Sequence, residues 1–225
     1  MHHAYLLNPN VPNMKSKFAN WFFKSTKCCL LALPAALVLV GSQNIHAATR
    51  TWDGGGSDGN WNTAANWSSD SKPSANNDTA TFSGAFGTGG TAINLGGNQN
   101  TGTLAISTTT NFSINNNILT LATGDITRSA TSGTTTINSG ITLGSNGGVW
   151  NISGSSTAGS LVVNGIVNDG ASSFSLTKSG NGSLTLGNNN TFDGGLTLSA
   201  GTLILGDDGA AGTGTLTLSG GTIEG

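Results

Sequence analysis

The chain has 225 residues, of which 36 % are apolar and only 8 % charged, with 35 glycines and a formal net charge of −2. That balance excludes a charge-driven disordered tail and departs from the composition of an ordinary enzyme. From Ala48 onward, four basic residues (Arg50, Lys72, Arg128 and Lys178) stand against all ten acidic ones, a net charge of −6 that argues against nucleic acid and anionic membrane surfaces as partners.

The first element is a leader. Lys15, Lys17, Lys24 and Lys27 precede an apolar run from Leu30 to Val40, and Ile45, His46 and Ala47 form a small-residue cut site, which is the layout of a secretory signal peptide. Eleven apolar residues are well short of the roughly 20 that cross a bilayer as a helix, so the mature chain is expected to hold no integral membrane segment. Cleavage is expected between Ala47 and Ala48, making residues 1–47 a signal peptide with an extended basic region; Met14 is an alternative start to Met1. Cys28 and Cys29 precede the apolar run, so neither sits where a lipid anchor is attached, and the exported part has no cysteine to form a disulfide.

Residues 48–84 gather Trp52, Trp61, Trp67 and Phe82 among glycines. They are read as a capping module that plugs one end of a larger β structure. The alternative is a glycan-contact surface made of Trp52, Trp61 and Trp67, because aromatic faces stack on sugars. The stretch Gly55 to Gly59, with Asp53 and Asp58 nearby, loosely resembles a calcium-binding loop; as one imperfect copy it is read as a tight turn, and neither a metal nor any other cofactor is expected.

From Ala48 to the end, Gly, Thr, Ser and Asn make up 108 of 178 residues. Residues 85–173 nevertheless alternate strictly between apolar and polar, as in Thr103 to Ile106, Phe112 to Ile114, Leu119 to Leu121 and Ile141 to Leu143, with Gly- and Asn-rich turns between the runs. Such alternation predicts short strands, and the scarcity of Ala, Glu, Lys and Arg disfavours helices. The variations on one unit at Gly182 to Gly187, Gly201 to Gly206 and Gly214 to Gly220 predict coils that stack on one another. Coils of roughly 20 to 25 residues at about 4.8 Å per layer would give a rod on the order of 30 Å long, with Leu and Ile inside and Thr and Ser outside.

Residues 174–225 carry a family signature. Leu176-Thr177-Lys178, then Asn190-Thr191-Phe192-Asp193-Gly194-Gly195, then Ala200-Gly201-Thr202-Leu203, resemble the autotransporter-associated β-strand repeat, also called the passenger-associated transport repeat. Phe192 stands where that family has an aromatic residue, most often Tyr. The resemblance implies an all-β, right-handed parallel β-helix within a large exported bacterial protein. The sequence ends at Ile223-Glu224-Gly225, inside a repeat, so it reads as the N-terminal part of a longer protein, and whether it transports itself is left open.

No His or Cys follows Ala48, which removes a Ser-His-Asp triad, a cysteine nucleophile and an ordinary zinc site from consideration. The pair Asp207-Asp208 faintly resembles the paired aspartates of pectin-cleaving β-helices, but the His and Arg-Lys partners of that family are missing, so the pair is read as a solvated corner. The expected function is therefore non-catalytic: a secreted or surface-displayed passenger of a Gram-negative-type bacterium, structural or adhesive in role. Its expected partners are surface glycans or other cells, with self-association through the exposed solenoid end. The alternatives are a carbohydrate-binding or carbohydrate-active β-helix and a repeat segment that assists secretion of a longer passenger.

Overall fold

Strands of two to five residues are too short to be stable alone, and their single apolar face must be covered by other strands. Stacking them in parallel satisfies both needs. The computed structural model describes residues 47–154 and 159–225, so the expected leader lies outside the described residues except for its last position, Ala47.

After an initial strand β1 (Thr49–Thr51), the chain winds through seven layers. The first contains β2 (Thr79–Phe82), β3 (Ala92–Asn94) and β4 (Gln99–Thr101), and the second β5 (Thr103–Ile106), β6 (Phe112–Asn115) and β7 (Ile118–Leu121). The third contains β8 (Ile126–Arg128), β9 (Thr134–Ile137) and β10 (Gly140–Leu143), and the fourth β11 (Gly148–Ile152), β12 (Ser160–Val163) and β13 (Val167–Asn168). The last three have two strands each: β14 (Leu176–Ser179) with β15 (Ser183–Leu186), β16 (Leu196–Leu198) with β17 (Thr202–Leu205), and β18 (Leu216–Leu218) with β19 (Thr222–Glu224). Equivalent strands pair in parallel to give an eight-stranded sheet A, a seven-stranded sheet C and a four-stranded sheet D. The architecture is the all-β, parallel solenoid expected from the repeats.

Register places like over like. In sheet C one inward column runs Ile93, Ile114, Ile137, Val163, Leu186 and Leu205, and all but the half-buried Leu205 are buried. In sheet A, Leu176, Leu196 and Leu216 stack at steps of 20 residues, whereas Ile126, Trp150 and Lys178 climb by 24 and then 28. The longest coil exceeds the expected 20 to 25 because, relative to the layer before, two residues are added between β11 and β12 and two more between β13 and β14.

The first layer is covered side by side. β1 pairs with β2 at the edge of sheet A, and the backbone of residues 59–61 bonds to Asn94 of β3 at the edge of sheet C. At the edge of sheet D, Lys72 Nζ donates to Gln99 Oε1 at 2.9 Å and to Asn62 Oδ1 at 2.7 Å. Beneath this cover, Trp52, Trp61, Trp67 and Phe82 interlock. Trp67 meets Trp52 edge-on at 5.2 Å and Trp61 at 4.6 Å, and its indole N–H donates to the Trp61 carbonyl. Unpaired strand edges and an open apolar end invite association; here β1 and residues 59–61 cover the edges of β2 and β3, and the aromatic rings fill the apolar end.

After β13 the third side is built differently. Residues 187–195 join β15 to β16 without adding a strand to sheet D. Asn190, buried, stands in for one: its Oδ1 accepts the Val167 N–H at 2.7 Å and its Nδ2 donates to the Ala210 carbonyl at 2.6 Å, tying three layers together. Phe192, also fully buried, fills the space behind it.

Candidate functional site

The sequence proposed several places where chemistry could sit, and the fold locates each of them. Trp52, Trp61 and Trp67 are 2 %, 0 % and 0 % exposed, their rings packed on one another, so no indole face is offered to a sugar. Asp53 and Asp58 are occupied by turn geometry: Asp53 accepts the Gly55 N–H, and Asp58 accepts the Asn60 N–H, the Thr63 hydroxyl and the Asn66 amide. The hydrogen bond from Thr63 and then those from Asn60 and Asn66 hold the Asp58 carboxyl below its ordinary pKa. Among the described residues, no group of three or more His, Cys, Asp or Glu side chains could hold a metal. Asp207 and Asp208 are exposed on a turn, where the Asp207 carboxylate accepts the Gly209 N–H.

Ala48, the first residue after the expected cut, is fixed by its backbone N–H to Asp78 Oδ1 at 3.0 Å. Asp78 is buried and also accepts the N–H groups of Ser74 and Ala75. Burial opposes its ionisation, but these three N–H groups and the charge of Arg50 outweigh it and keep the carboxyl below its ordinary pKa.

Two cations counted with the surface charge in the sequence are in fact inside the solenoid. Arg128 lies in the inward column between Ile106 and Ile152, and Lys178 between Trp150 and Leu198, both fully buried. Each turns toward the corner between sheets A and C and satisfies carbonyls there. Lys178 Nζ donates to Ser179, Gly180 and Ala200, and the Arg128 guanidinium donates to Ala130, Ser132 and Gly133. Burial pulls the Lys178 amine down to about 8. The outer surface is accordingly poorer still in positive charge than composition suggests.

The distinctive outer feature is one the sequence reading treated only as turns. At the corner between sheets C and D, asparagines recur layer upon layer: Asn138 Nδ2 donates to Asn115 Oδ1 at 2.8 Å, Asn164 Nδ2 to Asn138 Oδ1 at 2.9 Å, and Asn188 Nδ2 to the Asn164 carbonyl at 3.0 Å. A shallow groove of about 600 Å³ follows this amide ladder, with Ile118 and Ile166 exposed along it and no charged residue in its lining. The available signal was the return of Asn at the end of β6 and just after β9, β12 and β15, at the coil spacing.

The solenoid, closed at one end by aromatic rings and lined along one flank by uncharged amides, belongs to the class of repetitive β rods. Residues 176–205, which form β14 to β17, match the passenger-associated transport repeat, so the chain carries a repeat of autotransporter passengers, an exported, cell-surface class. Over 203 residues, 85 % of the chain, it is 32 % identical to a protein of Brucella suis biovar 1 (strain 1330) named adhesin BmaC autotransporter. The chain spans about 5 % of the length of that relative. No solved structure matches it.

Proposed function

We propose that the chain is a segment of a surface-displayed passenger whose role is structural and adhesive and not catalytic. The observation that carries this reading is the combination of a buried, self-stacking interior with an outer flank of small uncharged groups, in a chain similar along most of its length to a protein named an adhesin. A parallel solenoid extends by adding layers, so binding groups on its flank repeat along the rod and engage large partners at several points. The setting is the outer face of a Gram-negative-type bacterium, reached after removal of a leader ending at Ala47. N-terminal sequencing of the exported product checks that step, with Ala48 expected as the first residue.

The direct test coats beads with the purified chain and measures retention on cultured cells and on extracellular matrix. Retention well above albumin-coated beads is expected, and retention equal to albumin would overturn the adhesive reading. Turnover of a polysaccharide that Asp207→Asn or Asp208→Asn abolishes would overturn the non-catalytic one. A second reading is favoured by the transport-repeat match itself: layers five and six fold outside the cell and help draw a longer passenger outward. It predicts that deleting residues 176–224 lowers surface yield without altering adhesion by the remainder.

A further inference from the structure

We infer that the groove along the asparagine ladder binds a neutral, extended glycan chain. The inference rests on the adhesive reading for its setting and names the ligand class that reading leaves open.

The first observation is hydrogen-bonding capacity left over. A side-chain amide offers two N–H groups and two lone pairs. Among the described residues, Asn138, Asn164 and Asn188 each use one N–H within the ladder, leaving each a second N–H for another acceptor. These groups repeat once per layer, at about 4.8 Å. An extended glycan presents hydroxyls, each both donor and acceptor, at a closely similar interval, so successive sugars can meet successive amides.

The second observation is a glycine that the backbone does not require. Gly140 opens β10 beside the ladder, aligned with Ile118 in the layer before and adjacent to Ile166 in the layer after. Its φ is not in the left-handed region, and a Cβ there would meet nothing nearer than Ile118 Cγ1 at 3.5 Å and the Ile166 carbonyl at 3.6 Å, which is ordinary contact. Gly165, in the following layer, is different: a Cβ there would run into the Ser139 carbonyl. Glycine in a strand weakens it and often marks a place where a ligand comes close. Here its absence of side chain cuts a notch between two exposed isoleucines, 37 % and 45 % exposed, which can receive the C–H face of a sugar while the amides hold its hydroxyls.

The same features disfavour other occupants. With no charged side chain in the lining, an acidic polysaccharide or a nucleic acid finds no counter-charge. A peptide adding as a strand needs a free sheet edge; β7 and β10 are paired on both sides, and the outer edge of β13 is taken by Asn190, whose Oδ1 accepts the Val167 N–H, and by Thr191, whose N–H donates to the Val167 carbonyl.

The full chain is titrated with cellohexaose, chitohexaose and xylohexaose, and with hexagalacturonate and an uncharged extended peptide for comparison, while side-chain amide NMR signals are followed. A neutral hexasaccharide is expected to bind and to shift the Asn138 and Asn164 amides. Gly140→Val, which fills the notch, is expected to weaken binding about tenfold or more at unchanged melting temperature. Ile166→Ser, at an exposed position, is expected to weaken it too and serves if the valine variant does not fold. Failure of all three neutral sugars to bind, preference for the acidic sugar or the peptide, or binding that neither variant weakens would overturn the inference. Beads that hold cells equally well with and without Gly140→Val would leave adhesion standing and remove the groove as its cause; binding of a sugar in the groove by a chain whose beads hold no cells would do the reverse.

Discussion

The first four layers and the last three solve the same closure problem with different materials. The first four turn through three strands, and sheet D gives their third side a ladder of backbone hydrogen bonds. The last three climb only about 20 residues per layer and have no third strand; on that side a few backbone bonds (Thr191 to Val167, Asn190 to Gly209, Thr213 to Phe192) are joined by two buried side chains, Asn190 and Phe192. Backbone ladders spread stability over many small bonds, whereas a side-chain strut concentrates it in a few residues. Damage should therefore be local and severe in the repeat layers, and diffuse elsewhere.

The largest effect is expected from Phe192→Ala. Emptying this buried site should cost about 3–5 kcal/mol, and hydrogen exchange should show β14 to β19 opening before β2 to β13. A single cooperative loss across both regions would contradict the contrast. Asn190→Ala should follow at about 1–3 kcal/mol, since it leaves the Val167 N–H and the Ala210 carbonyl buried without partners. Chemical denaturation of the two variants side by side gives that order.

A smaller effect is expected from pH. The Lys178 amine titrates at about 8 in the folded chain, below its ordinary 10.5. Between those values the unfolded chain binds more protons than the folded one, so stability should rise with pH through this window and level off above it. Lys178→Met should flatten the rise, which thermal melts at a series of pH values would show. The smallest effect is expected from Thr197→Val: Thr197 lies in the outward row with Thr177 and Thr217, and a change there should stay within about 0.5 kcal/mol.

Much of this was legible in the sequence because strand parity is a two-residue code. Leu184-Thr185-Leu186 and Leu196-Thr197-Leu198 announce an inward and an outward face, and the same parity over Leu176-Thr177-Lys178 puts Lys178 on the inward side with Leu176. Ile126-Thr127-Arg128 does the same for Arg128. Chemical intuition places long cations outside, and it takes the corner carbonyls, which only the fold brings together, to receive them inside. The end of sheet D was not legible, because connection length does not mark it: ten residues lie between β6 and β8 and between β9 and β11, where β7 and β10 form, and ten also lie between β17 and β18, where no strand does. The amide ladder was half visible: Asn in the turns is expected for backbone reasons, and only stacking shows that side chains from successive turns reach one another.

Everything above depends on equivalent strands lying parallel and in register one layer apart. Amide-to-amide NMR contacts among the outward threonines read that arrangement: Thr197 is expected to show cross-strand contacts with the neighbourhoods of both Thr177 and Thr217, each 20 residues away. Contacts joining strands adjacent in sequence instead, such as Thr185 with Thr197 in antiparallel hairpins, would contradict the solenoid and with it the groove, the cap and the buried cations.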